Sequence, residues 1–292
     1  MKKVLKGAEP ELLEAYRNSN SANTWVQFKR VAARKEAVSA QLKHDQAGLC
    51  AYCEIKLLPK THEGEADFRV EHFHPKSDTT IAHNWHLDWQ NLLGCCHGGS
   101  QKNIVEEADR FGNGDHSCDV PKGNKDLGAI ILNPLHLPAF PALFAAERST
   151  GKLKVNVHNC QSATISAAKA AATISELRLD SARLNRFRKT LLDEINRQLT
   201  QLIQTGLSVE AARTKLARIL LNKDTQQHWP AFFTSVRSYL GSEAEVHLHN
   251  IDYAAYSGLS GHQHRFNPDA CFPRFSLILF LSYLSGLCQL SH

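Results

Sequence analysis

Between Cys50 and Lys122 the chain strings together thiols, an acid beside a base, and an amide at short intervals. They read Cys50-Ala51-Tyr52-Cys53, Val70-Glu71-His72-Phe73-His74-Pro75-Lys76, Trp89-Gln90-Asn91-Leu92-Leu93, Cys96, and Cys118-Asp119-Val120-Pro121-Lys122. A histidine next to a carboxylate can take a proton from water while the carboxylate holds a divalent cation against a phosphate. On that chemistry His72 is the expected general base and Glu71 an expected cation ligand. Asn91 is placed to accept the second ring N–H of His72 through its side-chain carbonyl, which would fix the tautomer. Asp119 would add a second carboxylate from the start of a helix. Hard oxygen donors with open water positions favour Mg²⁺ or Mn²⁺ over zinc.

The cysteines point to a second, closed centre. A CxxC hairpin followed by two more soft ligands at a distance is the donor set that zinc closes tetrahedrally. Cys50, Cys53 and Cys118 belong to it, and the fourth ligand is Cys96, Cys95 or the ring of His97. Lys76 and Lys122 are candidate phosphate contacts, and His74 a candidate substrate contact. Trp89 reads as core rather than as a stacking platform. His247/His249 and His262/His264 form two HxH pairs with no acidic or cysteine partner in register.

These groups need a scaffold, and the pattern around them suggests one. A knuckle at Cys50, a strand through Phe68-Arg69-Val70, a second strand near Leu92 and Leu93, and a helix from about Asp119 are separated by Gly, His, Asp and Ser clusters that read as loops. Upstream, Trp25, Phe28, Val31, Val38 and Leu42 recur at helical spacing, with Ser21 or Asn23 as caps, so a short and then a longer helix are expected before His44. Downstream of Pro134, Ile174, Leu177, Leu184, Phe187, Leu191, Ile195, Leu199 and Leu202 recur every three or four residues. A further helix follows Gly206, over Ala211 to Leu221. The fold class is therefore α+β, with segments 1–45 (helical), 46–135 (the cysteine-stapled core) and 136–292 (mostly helical). Arg178, Arg183, Arg186, Arg188 and Lys189 concentrate positive charge beside that helical run, expected to face a phosphate backbone or an acidic partner, or only solvent.

At 292 residues the chain can bury a substantial core, and eight clustered cysteines are too few for a disulfide scaffold. The formal charge of +5 is compatible with nucleic acid. Met1-Lys2-Lys3-Val4-Leu5-Lys6 is cut off by Gly7-Ala8-Glu9-Pro10 before it resembles a signal peptide, and the apolar run Phe275 to Cys288 is too short to span a bilayer. A cytoplasmic protein without membrane contact is expected.

The motifs from Cys50 to Pro134, including Cys118-Asp119-Val120-Pro121-Lys122-Gly123 and Ile131-Leu132-Asn133-Pro134, resemble the HNH (ββα-metal) endonucleases. Within them they are similar to the nuclease subunit of Septu-type anti-phage systems, PtuB, and its retron-associated relatives. The resemblance covers about the first 195 residues. It implies Glu71 and Asp119 as ligands of a catalytic ion, His72 as base, Asn91 as its orienting partner, and Cys96, five residues after Asn91, as the fourth zinc ligand. Two features depart from the commonest pattern: the long stretch from His97 to Ser117 between the last two cysteines, and Asp in place of Asn or His after the final one. The function so implied is metal-dependent cleavage of nucleic acid, DNA first, in a defence complex with a PtuA-type ATPase, with retron msDNA and reverse transcriptase as further members. Cleavage of RNA such as tRNA, and an inactive zinc-stapled adaptor, are the alternatives.

Overall fold

The computed structural model describes residues 1–105, 110–251 and 253. His262, His264 and the run from Phe275 to Cys288 lie outside the described residues.

Three helices open the chain: α1 (Glu11–Ser19), α2 (Trp25–Phe28) and α3 (Ala32–Asp45). Thr24, rather than Ser21 or Asn23, caps α2 through a reciprocal pair with Gln27, which satisfies donors the first turn leaves open. Leu13, Trp25, Phe28, Val38 and Leu42 from these helices close over Leu87, Trp89 and Leu92. Val31 is exposed instead, because it precedes α3 and never joins that face. Trp89 is core, as expected, and its Nε1 donates to the Gly7 carbonyl at 3.1 Å.

The two expected strands form an antiparallel pair, β1 (Arg69–His72) and β2 (Leu92–Cys95), in register Arg69 with Cys95, Glu71 with Leu93 and His72 with Leu92. A one-turn helix, α4 (Asp119–Lys122), follows Cys118 and stops at Gly123. The hairpin β3 (Phe144–Ala146) and β4 (Leu153–Val155) comes next and was not anticipated. Its strands are three residues long, too short for a period of two to register. The rest is helical: α5 (Val157–Ser162), α6 (Ala167–Glu176), α7 (Ala182–Gln204), α8 (Val209–Leu220), α9 (Phe233–Leu240) and α10 (Ser242–Asn250). Ser166 and Ser208 cap α6 and α8 by accepting from Lys169 and Ala211. Two small sheets among many helices make the protein α+β.

One buried cluster joins the cysteine hairpin and the β1–β2 pair to β3, α6, α7 and the turn before α9. Cys50, Phe73 and Leu93 pack in the same cluster as Phe144, Ile174, Leu184 and Phe232. Polar pinning supplements the burial: the carboxylate of Glu54, next to Cys53, accepts from the Thr234 amide at 2.9 Å and its hydroxyl at 2.5 Å. The start of α9 is thereby tied to the cysteine hairpin.

The basic run on α7 does not form a solvated phosphate track. Arg183 and Arg188 are buried, and only Arg186 and Lys189 face outward. Arg183 donates to Ser117 Oγ at 2.9 Å, while Arg188 donates to the carbonyls of Leu179 at 2.5 Å and Gly151 at 3.2 Å. Burial lowers the Arg188 pKa to about 10, so its charge persists and serves as an internal hub for backbone carbonyls. Helical periodicity located the arginines but could not say which of them turn inward.

Candidate active site and cysteine centre

Cys50, Cys53, Cys96 and Cys118 come together, their sulfurs all within 4.8 Å of one another and all buried. Sγ distances of 3.8 Å (Cys50 to Cys118), 3.6 Å (Cys53 to Cys96) and 3.7 Å (Cys96 to Cys118) fit the edges of a tetrahedral thiolate shell. Burial pushes the Cys50 thiol up, but its hydrogen bonding with Cys118 and Cys53 outweighs this and holds the group well below its ordinary value. The donor set can hold a metal. Cys95, one residue before Cys96 in a strand, is not in the cluster. His97 is not in it either: its Nδ1 lies 3.2 Å from Asp67 Oδ1, and its amide donates to the same oxygen at 2.7 Å. Asp67 also pairs with Arg110 at 2.8 Å, which anchors the turn after Cys96. Gly98 permits the close approach of the Cys96 and Cys118 loops; a Cβ there would fall 2.2 Å from the Ser117 carbonyl oxygen.

The same β1–β2–α4 unit positions the acid and base residues. Alternation along β1 sends Arg69 and Glu71 to the α4 side and His72 to the other. On the α4 side the ion pairs interlock: Arg69 Nε with Asp119 Oδ2 at 2.5 Å, and Lys122 Nζ with Glu71 Oε1 at 2.8 Å. Asp119 Oδ1 is buried with no hydrogen-bond partner. Burial and the nearby Asp119 charge raise the Glu71 pKa to about 7, Lys122 and Arg69 notwithstanding; burial likewise raises Asp119. Two buried carboxylates with an orphan oxygen form a pair that added positive charge would stabilise. Lys122 is only 1% exposed and also donates to the His72 carbonyl at 3.0 Å, so it cannot serve as the open phosphate contact the sequence suggested. Lys76 stays half-buried and near the site, where its charge adds to burial in lowering the pKa values of His72 and His86.

His72 packs edge-on against Trp25, ring centroids 5.6 Å apart. Its Nε2 lies 3.1 Å from the carbonyl oxygen of His86. A carbonyl only accepts, so Nε2 carries the proton and Nδ1 presents the lone pair. Burial drives the His72 pKa down to about 3, which keeps the ring neutral. Asn91 does not touch this ring. Its Oδ1 accepts from the His74 amide at 2.6 Å, and its Nδ2 donates to the carbonyls of His74 at 3.0 Å and Trp85 at 2.9 Å. The amide braces both ends of the loop between the strands, and that loop presents the His86 carbonyl to His72. His74 turns away toward Asp78, at 2.7 Å, and packs on Trp85 at 4.0 Å between centroids. His247 reaches the Leu221 carbonyl at 3.2 Å and His249 stacks on Phe140, since residues two apart on a helix do not share a face.

The sequence reading passed over Arg69 and His86. Arg69 was open to discovery, because strand alternation puts it on the face of Glu71. His86 acts here through its backbone carbonyl, for which residue type carries no signal.

A 259-residue alignment, spanning 82% of this chain and 93% of its counterpart, is 33% identical to an Escherichia coli protein named "Retron Ec83 putative HNH endonuclease". The chain belongs to the HNH endonuclease family. It is accordingly a hydrolase. No protein-family model matches the chain. Among the described residues no helix is long and apolar enough to cross a membrane.

Proposed function

We propose that this chain is the metal-dependent nuclease of a retron-associated, PtuB-like anti-phage system, cutting phosphodiester bonds of DNA with His72 as general base. The reading rests on one juxtaposition: Glu71 and Asp119, with an unpaired buried oxygen, on one side of the end of β1, and a neutral His72 of defined tautomer on the other. Glu71 and Asp119 would hold Mg²⁺ or Mn²⁺, and the four cysteines structural zinc. When bound, the divalent ion supplies positive charge against the negative charge that builds on the phosphate and leaving oxygen.

The residues do the rest. Nδ1 of His72 takes the proton from the attacking water, and the His86 carbonyl holds the ring while its charge develops. Lys122 ties the Glu71 carboxylate to the His72 backbone, so acid and base keep their spacing. Lys76 adds positive charge near the incoming phosphate. The Escherichia coli relative's retron origin supports defence, with nucleic acid as substrate. A PtuA-type ATPase as licensing partner, and retron msDNA with its reverse transcriptase as neighbours, complete the proposal.

The test is to purify the chain with and without its neighbouring ATPase and assay plasmid, single-stranded DNA and tRNA in Mg²⁺ and Mn²⁺. DNA should be cut, and His72→Ala should lower the single-turnover rate by about 10²- to 10⁴-fold with zinc content unchanged. A His72→Ala variant as fast as the parent would remove the base assignment. Cleavage of tRNA alone would move the substrate to RNA.

A further inference from the structure

Among the described residues, the ring of His86 stands beside His72 without being tied to the fold by a hydrogen bond. Among the described residues neither of its ring nitrogens has a hydrogen-bond partner, and Nδ1 is shielded from solvent. The two rings lie 6.5 Å apart between centroids at 77°. A polar atom left buried and unpaired costs about 1–3 kcal/mol, which a purely structural role would not repay. The backbone around it, by contrast, is tightly held. The His86 amide donates to Asn84 Oδ1 at 3.1 Å, and Asn84 Nδ2 donates to the carbonyls of Asn23 at 2.9 Å and Ser21 at 3.2 Å. The loop carrying His86 is thus pinned to the turn before α2, while its carbonyl fixes His72.

The tautomer follows from the surroundings. A buried N–H without an acceptor is rarer in proteins than a buried lone pair without a donor. Nδ1 has no hydrogen-bond partner, so the proton resides on Nε2, which leaves an N–H donor at the ring nitrogen opposite the buried one. That donor sits next to the base that would activate water and in the field of Lys76. A phosphate attacked by water held at His72 has non-bridging oxygens within reach of a donor at this spacing.

We infer that His86 is a catalytic residue of the cleavage reaction, its Nε2–H donating to a non-bridging oxygen of the scissile phosphate. The inference rests on the reading of His72 as base in the proposed function. His86 keeps its proton throughout; the proton that moves goes from water to His72. Its contribution is a fixed dipole, preorganised by the Asn84 bracket, aimed at charge that grows in the transition state.

The experiment uses the full chain, with its ATPase partner where cleavage requires it, on a synthetic DNA duplex whose scissile linkage has been mapped with the parent protein. That linkage is then made as separate Rp and Sp phosphorothioates, because sulfur accepts hydrogen bonds poorly and weakens a contact to the oxygen it replaces. The parent should be slowed more by one diastereomer than by the other. His86→Ala should cut the normal linkage about 10²-fold more slowly and lose that stereochemical difference, while His86→Gln, which restores an N–H, should recover part of both. Loss of activity with the difference intact would overturn the inference, as would unchanged activity. If His86→Ala loses its zinc, the folded His86→Gln variant decides on the same pair of substrates. His72→Ala run in parallel separates the two claims: parental activity there refutes the base, whereas the change in the diastereomer difference between parent and His86→Ala, compared in Mg²⁺ and in the more thiophilic Mn²⁺ to take out the ion's own share, bears on His86.

Discussion

Replacing Asn91 tests whether this buried amide braces the loop or touches the base. In Asn91→Ala three hydrogen bonds vanish, one accepted from the His74 amide and two donated to the His74 and Trp85 carbonyls. At about 1 kcal/mol net for each, the loop loses roughly 3 kcal/mol of local stability, equivalent to about a 150-fold increase in its open population. Hydrogen exchange at the His74 amide should accelerate by about that factor, and cleavage should fall more than about tenfold, because opening withdraws the His86 carbonyl from His72. Cysteine-bound metal should be unaffected. Asn91→Asp sharpens the test. It preserves size and the acceptor but sets an oxygen against two carbonyls, so it should be at least as damaging as Ala. Had Asn91 accepted an N–H from His72, Asp would have substituted well and strengthened the contact. An Asn91→Asp protein with parental activity and His74 protection would refute the bracing argument.

The remaining predictions concern the metal centre and the buried arginines. Single Ser substitutions at Cys50, Cys53, Cys96 or Cys118 should yield protein that lacks zinc by elemental analysis and is protease-sensitive, since structural metal binding is part of the folding free energy; Cys95→Ser should retain one zinc per chain. Folded parent protein without zinc would end that assignment. Glu71→Gln and Asp119→Asn should fold, keep zinc and bind Mn²⁺ at least about tenfold more weakly by calorimetry, and an unchanged Mn²⁺ affinity would place the ion elsewhere. Arg183→Glu and Arg188→Glu should each cost about 3–5 kcal/mol in urea unfolding, because a carboxylate would face the carbonyl or hydroxyl that each arginine now satisfies, whereas Arg186→Glu should stay within about 0.5 kcal/mol. Equal stability across the three would show that the basic run is surface after all.

What the sequence determined by itself was the inventory and its spacing. Four thiols in a CxxC-plus-two arrangement admit few chemistries other than metal binding, and the Glu71-His72 step beside a strand constrains where an acid and a base can stand. The strands at Arg69–His72 and Leu92–Cys95 and the long helix Ala182–Gln204 were legible because periodicity is a local property. Tertiary structure decided everything that depends on which partner a side chain meets. Cys96, the residue just past the end of β2, rather than Cys95 within it, completes the four-sulfur cluster, a choice between adjacent thiols that only the three-dimensional path of the chain makes. Lys122 and Arg188 are charged by type, yet they are buried because the Glu71 carboxylate and the Gly151 carbonyl, both far away in sequence, are delivered to them. Asn91 grips a loop instead of an imidazole, and His72 is oriented by a backbone carbonyl, which every residue possesses and which no sequence pattern can single out.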